Sequence, residues 1–348
     1  MMTLPMRANV RSLLLGSLVS AFFIVLLIYQ VDVGKSWETL ARIDYRLMFT
    51  PMLITFGLLI LRPWRWQQMF PKSQRPTLWS SVRVFGIAVI VNNLFPARAG
   101  DVLRCFLITR EHKLTGASLA LATVGLEKIF DGMTLLLVVL STLAFVSSPD
   151  WLARIGLFSS VVFGGAITAL MLLHFRPLWL IQVIRPLFRT CRLVALGERV
   201  ITALDSFGEG LTVISSPFRL MALILLTLVI WLGEAIVISG LGLTLNIALS
   251  FPAAIVVSAV LGLGLALPAG PGFIGTFEYF ALAGLSLTGI KAESALALAV
   301  VLHSWSFLAN SIFGMAGIAA GGLSGAVSYP LFLRPGGKLQ LEKQRHAN

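Results

Sequence analysis

Charge is scarce in this chain of 348 residues: only 12% are Asp, Glu, Lys or Arg, about half of the ~25% found in soluble domains. So little charge cannot cover a water-facing surface, which excludes an ordinary soluble globular protein. With 57% hydrophobic residues, disorder is excluded too. Cysteine is rarer still. Cys105 and Cys191 stand far apart with no ligand spacing, so neither a disulfide scaffold nor a metal or redox centre is expected. Four scattered histidines give no clustered acid–base set. No G-x-x-x-x-G-K-S/T loop for ATP occurs. The chain is therefore not read as an enzyme, and no catalytic residue, metal or cofactor is expected.

Apolar length is what the chain has in plenty. The mean hydropathy is +0.90, which fits a polytopic membrane protein with helices of about 20 apolar residues. The net charge of +12 would suggest nucleic acid in a soluble protein. Here no Lys/Arg run forms a nucleic-acid patch, and the excess fits basic residues held on the cytoplasmic side.

Six long apolar runs are predicted to span: 13–31, 47–61, 117–146, 152–173, 220–241 and 292–320. The first is too long for a signal-peptide core and no cleavage site follows it, so it is read as retained. The second closes on Arg62-Pro63-Trp64-Arg65-Trp66, read as an interfacial belt together with Trp79. Two further segments are too short or too broken to span. Residues 84–95 end at Pro96, and residues 251–267 lead into Pro268-Ala269-Gly270-Pro271-Gly272 before a second apolar piece over 273–287. Short apolar pieces broken by Pro and Gly read as re-entrant hairpins, tolerated at membrane depth only inside protein or beside a wet cavity.

The two breaks share the pattern P-A-x-x-G, at Pro96–Gly100 and Pro268–Gly272, 172 residues apart. The same offset carries Asp131 onto His303, and each half reads helix, helix, broken hairpin, helix. Positive-inside counting tests the orientation. With the N-terminus inside and six crossings, 21 Lys/Arg fall inside, five outside, and Lys128 lies within the membrane. The hairpins then open to opposite faces, which makes the halves inverted repeats. The expected fold is all-α, with six spanning helices plus two re-entrant hairpins. One repeat covers 1–150 (hairpin 80–110) and the other 151–325 (hairpin 252–288). A basic tail follows over 326–348, and both termini face the cytoplasm at the inner membrane.

Residues Asn93 to Arg104, written N-x-x-P-x-R-x-G-E/D-x-x-R, with Glu127 and Asp131 in the next helix, and Pro268 to Glu278, written P-x-x-P-G-x-x-G-x-x-E, resemble the lysylphosphatidylglycerol synthase transmembrane region, a flippase-like family. The resemblance spans about residues 10–325. Asp101 stands where Glu is more usual, and His303 where many members carry Arg. Members that also synthesise aminoacyl-lipid carry a soluble C-terminal catalytic domain. Here only the tail follows the last helix, so that activity is expected to be absent. The resemblance implies movement of a phospholipid or polyprenyl-linked lipid between leaflets. The runner-up is an ion-coupled secondary transporter of a small solute.

Each candidate group carries two readings. Arg98, Asp101 and Arg104 follow the first break, where guanidiniums beside freed helix-end amides suit a phosphate; otherwise they cap the hairpin at the interface. Glu127 and Asp131 share a helical face, and a charge at mid-bilayer costs about 2.5–3.5 kcal/mol on insertion scales. They either line a lipid path, or form a proton site whose carboxyl pKa is raised by burial, or tie their helix to Arg83, Arg98 or Arg104, with Lys128 placed to pair with Asp131. Pro96, Gly100, Pro268, Gly270, Pro271, Gly272 and Gly275 are hinge candidates. Glu278 is expected to be buried and paired, with Glu234 its rival for that role. His303 is a core histidine or a proton carrier. Asn93 completes the set of headgroup candidates. The expected partner is a membrane lipid, anionic by the arginines; any other would be a second copy of the chain or a lipid-modifying enzyme.

Overall fold

The computed structural model of the chain describes residues 21–27, 33–41, 43–96, 98–112, 117–145, 149–175, 216–267 and 269–321, with isolated positions at 18, 182, 185–186, 188, 197 and 201. The predicted span 13–31 therefore lies largely outside the described residues. So do most of the basic stretch 176–199, Cys191, Ala97, Pro268 and the tail. Among the described residues the bounded α-helices are α1 (Val33–Leu40), α2 (Phe49–Gln68), α3 (Leu78–Leu94), α4 (Ala99–His112), α5 (Ala117–Phe145), α6 (Asp150–Phe175), α7 (Pro217–Thr244), α8 (Phe251–Gly264), α9 (Thr276–Ser286) and α10 (Ala292–Ala320), and no strand occurs. Tyr45–Gln68, Asp150–Ala169, Pro217–Thr244 and Ala292–Ala320 are long and apolar enough to cross a membrane. The chain is a multi-pass membrane protein, all-helical over the described residues. The 29-residue α5 is as long as any of them but carries Glu127, Lys128 and Asp131.

α2 departs from the sequence reading. It does not stop at Arg62-Pro63 but runs on to Gln68 with Pro63 inside. A proline within a helix forfeits an N–H and crowds the carbonyl four residues back. Tertiary contacts beyond Pro63 hold the last turn in place. Trp66 is fully buried and its Nε1 donates to Thr123 Oγ1 at 2.9 Å. Arg65 is buried as well. Neither is a belt residue; Trp64 and Trp79 are exposed, as a belt requires.

Local chemistry builds the first hairpin. Thr77 Oγ1 accepts from the Ser80 amide at 3.2 Å and starts α3. Phe95, extended at φ −121° because Pro96 follows, ends it. The chain turns through Arg98, at φ +53°, and restarts as α4. A Cβ on Gly100 would lie 1.9 Å from the Ala88 carbonyl oxygen, so only glycine lets the two helices meet backbone to backbone. Asn92 Oδ1 accepts from the Gly100 amide at 2.8 Å and caps the restart.

In the second hairpin Ser250 caps α8, with Pro252 in its first turn. α8 stops at Gly264. A 3-10 turn, Pro271–Phe273, follows, with Gly272, Phe273 and Gly275 all at positive φ. The Gly275 amide then donates to Glu278 Oε2 at 2.7 Å, which fixes the start of α9.

Packing joins the halves through two kinds of contact. α2 and α7 run antiparallel. Pro51 lies against Gly240 and Leu58 against Gly233, Arg65 bonds Thr227, and Arg219 donates to the Gln68 and Phe70 carbonyls at the far end. α3 packs on α10 and α8 on α5, each from the opposite half. Gly86 and Gly314 bring the α3 and α10 backbones together. Close backbone approach of this sort replaces the hydrophobic drive that lipid cannot supply. α6 turns Leu157, Phe158 and Val161 outward, as a lipid-facing helix must.

Candidate functional site

Between the two halves lies a cavity of about 630 Å³ whose wall includes Asn93, Arg98, Asp101, Glu127, Asp131 and His303. These six come from the sequence-derived set. Arg104 and Glu278 stand behind the wall. The cavity meets both broken hairpins: α3 and the start of α4 from one, Leu265, Gly272 and Phe273 from the other.

On the first side the charges form a cluster centred on Arg104, whose side chain is wholly buried. Its Nη1 and Nη2 donate to Glu127 Oε2 and Oε1, both at 3.0 Å, and Nη2 also lies 3.1 Å from Asp101 Oδ1. The guanidinium lies over two rings, 4.8 Å from the Trp66 centroid and 5.3 Å from that of Phe85. An arginine so engaged, and set back from the cavity wall, is closed to a phosphate even though its buried Nε has no hydrogen-bond partner. Lys128 pairs with Asp101 at 3.3 Å and Glu127 at 3.5 Å, and not with Asp131 as the sequence suggested. Its side chain keeps 40% of its surface exposed. Arg98 keeps 36%. Its Nη2 donates to the Leu265 carbonyl at 2.8 Å, its Nη1 reaches Asp101 at 3.9 Å, and it lies over the Phe273 ring. Three cations thus share two carboxylates. The cluster carries one unbalanced positive charge, and the two cations that face the cavity are Arg98 and Lys128.

A second network crosses between α2, α5 and α7. Arg65 grips Asp131 with both Nη atoms, at 2.6 and 3.1 Å, and donates to Thr227 Oγ1 at 3.0 Å. Trp231 Nε1 adds a bond to Asp131 at 3.2 Å. Arg62 forms an ion pair with Glu234. These charges balance. Arg62, Arg65, Trp231 and Glu234 all line the cavity; the sequence named Glu234 only as a rival to Glu278 and read Arg62 and Arg65 as belt residues. Arg83 pairs elsewhere, with Glu111. The missed signal was arithmetic: Asp131 and Glu234 needed cationic partners in the membrane, and Arg62 and Arg65 sit one helical turn apart.

A third group lies on the second hairpin. His303 Nδ1 is 2.6 Å from Glu278 Oε1 and Nε2 is 2.7 Å from the Gly272 carbonyl oxygen. Phe277 stacks on the imidazole with the ring centroids 4.5 Å apart and the rings nearly parallel. Asn93 Nδ2 donates to the Phe307 carbonyl at 3.1 Å and contacts Ser311 Oγ at 3.3 Å, tying α3 to α10. Among the hinge candidates, Pro96 sits at the bend after α3, while Gly270, Pro271 and Gly272 lead through the 3-10 turn to Gly275. Pro268 lies outside the described residues.

Comparison with known proteins identifies the family. A curated relative, the UPF0104 membrane protein MJ1078 of Methanocaldococcus jannaschii, is 25% identical over 226 residues, covering 65% of this chain and 92% of that protein. The model of the lysylphosphatidylglycerol synthase TM region matches residues 13–314, which take in the described hairpin residues and the cavity between them. The chain belongs to the lysylphosphatidylglycerol synthase transmembrane-region family.

Proposed function

We propose that the protein moves an anionic lipid, a phospholipid or a polyprenyl-phosphate-linked lipid, between membrane leaflets, with the headgroup passing through the cavity between the halves. The carrying observation is the unbalanced cationic cluster on the wall. Arg98 and Lys128 are the cations it offers, and an anionic phosphate supplies the charge the cluster lacks. Arg104 is a positioning residue, holding Asp101 and Glu127 where Lys128 meets them.

The architecture proposed with this function is two inverted repeats with six spans and two re-entrant hairpins, in the inner membrane with both termini cytoplasmic. Helix bounds support it. Adding 172 to α2, α3 and α5 gives 221–240, 250–266 and 289–317, which fall on α7, α8 and α10. The packing is exchanged in the same way, α3 on α10 matching α8 on α5. α2 and its counterpart α7 run antiparallel, and Arg62 pairs with Glu234, the position 172 residues on. Two spanning counterparts that run antiparallel are related by an axis lying in the membrane plane, the geometry of alternating access.

The test is reconstitution in phosphatidylcholine liposomes with fluorescent phosphatidylglycerol or fluorescent phosphatidylcholine in the inner leaflet. The expected result is faster exposure of the anionic probe than of the zwitterionic one. Equal rates, or no exposure of either, would reject the reading. Uptake of a water-soluble anion by the same liposomes without lipid movement would favour a small-solute transporter.

A further inference from the structure

The Glu278–His303 pair is not used by the headgroup reading, and its hydrogen bonds pose a counting problem. A neutral imidazole has one N–H donor and one acceptor nitrogen. Nε2 faces the Gly272 carbonyl oxygen at 2.7 Å, an atom that can only accept, so Nε2 carries a proton. Nδ1 faces Glu278 Oε1 at 2.6 Å. With a neutral ring and an ionised carboxylate, two lone pairs would oppose each other at that distance. One more proton must lie between them, on Nδ1 or on the carboxyl oxygen. The other carboxyl oxygen is already occupied as acceptor for the Gly275 amide. Phe277, stacked flat on the ring, keeps it in this plane.

We propose that Glu278 and His303 form a binding site for one exchangeable proton, and that this proton fastens the broken loop of the second hairpin to α10. When the proton leaves to cavity water, one proton remains on the imidazole. A carboxylate is a stronger acceptor than a carbonyl, so that proton moves to Nδ1 and the bond to Gly272 is lost. No other bond is made or broken. The loop that is released has Gly272, Phe273 and Gly275 at positive φ, and it supplies the Phe273 ring under Arg98. Proton occupancy at His303 is thereby linked to the cation that faces the cavity. Lower pH favours the fastened loop, and rising pH releases it.

Neighbouring charges leave the pair to itself. Glu278 comes from α9. From α3, Arg83 is paired to Glu111 and lies against Gly321, at the far end of α10. From α2 and α7, Arg62 pairs with Glu234, and Arg65 is held by Asp131 of α5. α1 carries Lys35 and Glu38, α10 itself Glu293, and Arg98 approaches from the first hairpin. Among the described residues, Glu278 is the one oppositely charged side chain within 4.0 Å of His303.

The proton site stands independently of any lipid; its use in coupling rests on the translocation reading. The first experiment is nitrogen NMR of histidine-labelled protein in phosphatidylcholine nanodiscs, with His303→Gln identifying the signal. From acidic to alkaline pH, Nε2 of His303 is expected to pass from protonated to unprotonated while Nδ1 keeps a proton. In Glu278→Gln, whose amide can serve Nδ1 without an extra proton, this response should be lost. An unchanging His303 signal in the wild type, or an unaltered response in Glu278→Gln, would overturn the site. The second experiment measures phosphatidylglycerol exposure in liposomes across the same pH range. A pH response present in the wild type and lost in Glu278→Gln is expected. Translocation insensitive to pH would overturn coupling, whereas absence of translocation at every pH would instead strike the lipid reading.

Discussion

The two broken hairpins meet the same cavity with different chemistry. The first, α3–α4, is backed by five charged side chains, Arg98, Asp101, Arg104, Glu127 and Lys128, gathered around one fully buried guanidinium. The second, α8–α9, offers glycines, a carboxylate and a histidine. A buried guanidinium that makes two bonds to one carboxylate fixes geometry, because removing either partner leaves an uncompensated charge. A histidine between two acceptors does the opposite: one proton changes its bonds. The first hairpin is thus built as a fixed anion-facing wall and the second as a part that can let go.

The largest contrast expected between them is all-or-none. In a cysteine-free background, Ala99→Cys and Gly270→Cys should react with a membrane-impermeant thiol reagent from opposite sides of oriented vesicles. Reaction of both from one side would remove the inverted relation and leave the likeness in helix bounds unexplained.

Stability separates the hairpins next. Glu127→Gln removes the carboxylate that Arg104 grips with both Nη atoms and leaves Asp101 to face three cations, a change expected to destabilise by about 3 kcal/mol, read as thermal unfolding by tryptophan fluorescence in detergent. Glu278→Gln keeps an acceptor for the Gly275 amide and a partner for His303, so its loss should be about 1 kcal/mol. Equal losses would mean that Glu127 is no more deeply committed than Glu278. A smaller difference is expected from the helix contacts. A methyl on Gly100 meets the Ala88 backbone, whereas one on Gly262 of α8 meets the tips of the Leu135 and Trp231 side chains, which can shift. Gly100→Ala should therefore lose about 1–3 kcal/mol and Gly262→Ala less, in the same unfolding assay.

Hydrophobic runs and Pro/Gly breaks made most of the helices legible, because a run of about twenty apolar residues has few alternatives to a membrane helix. The bounds of α6, α7 and α10 differ from the predicted runs by a few residues at most. α2 was cut short because Arg62-Pro63 looks like an end; only the contacts of Arg65 and Trp66 with distant helices carry it past the proline. The pairings show the same limit. Asp131 was expected to find Lys128 or an arginine of the first hairpin, and it found Arg65, 66 residues away in sequence. Local spacing can say that a buried carboxylate needs a cation, but the choice among cations is made by helix packing. Arg104 shows the converse: its motif position suggested headgroup contact, while burial between Trp66 and Phe85 gives it a supporting part.

The central claim is that the unbalanced charge beside the first break selects an anionic headgroup. Lys128→Gln tests it most directly, since Lys128 is the most exposed member of the cluster and Arg104 keeps both its carboxylates without it. The measurement is the ratio of phosphatidylglycerol to phosphatidylcholine exposure rates in reconstituted liposomes. The expected result is a ratio that falls toward one in Lys128→Gln, with unfolding temperature little changed. An unchanged ratio in a folded Lys128→Gln protein would contradict the claim and leave the cluster as a structural fastening of the hairpin.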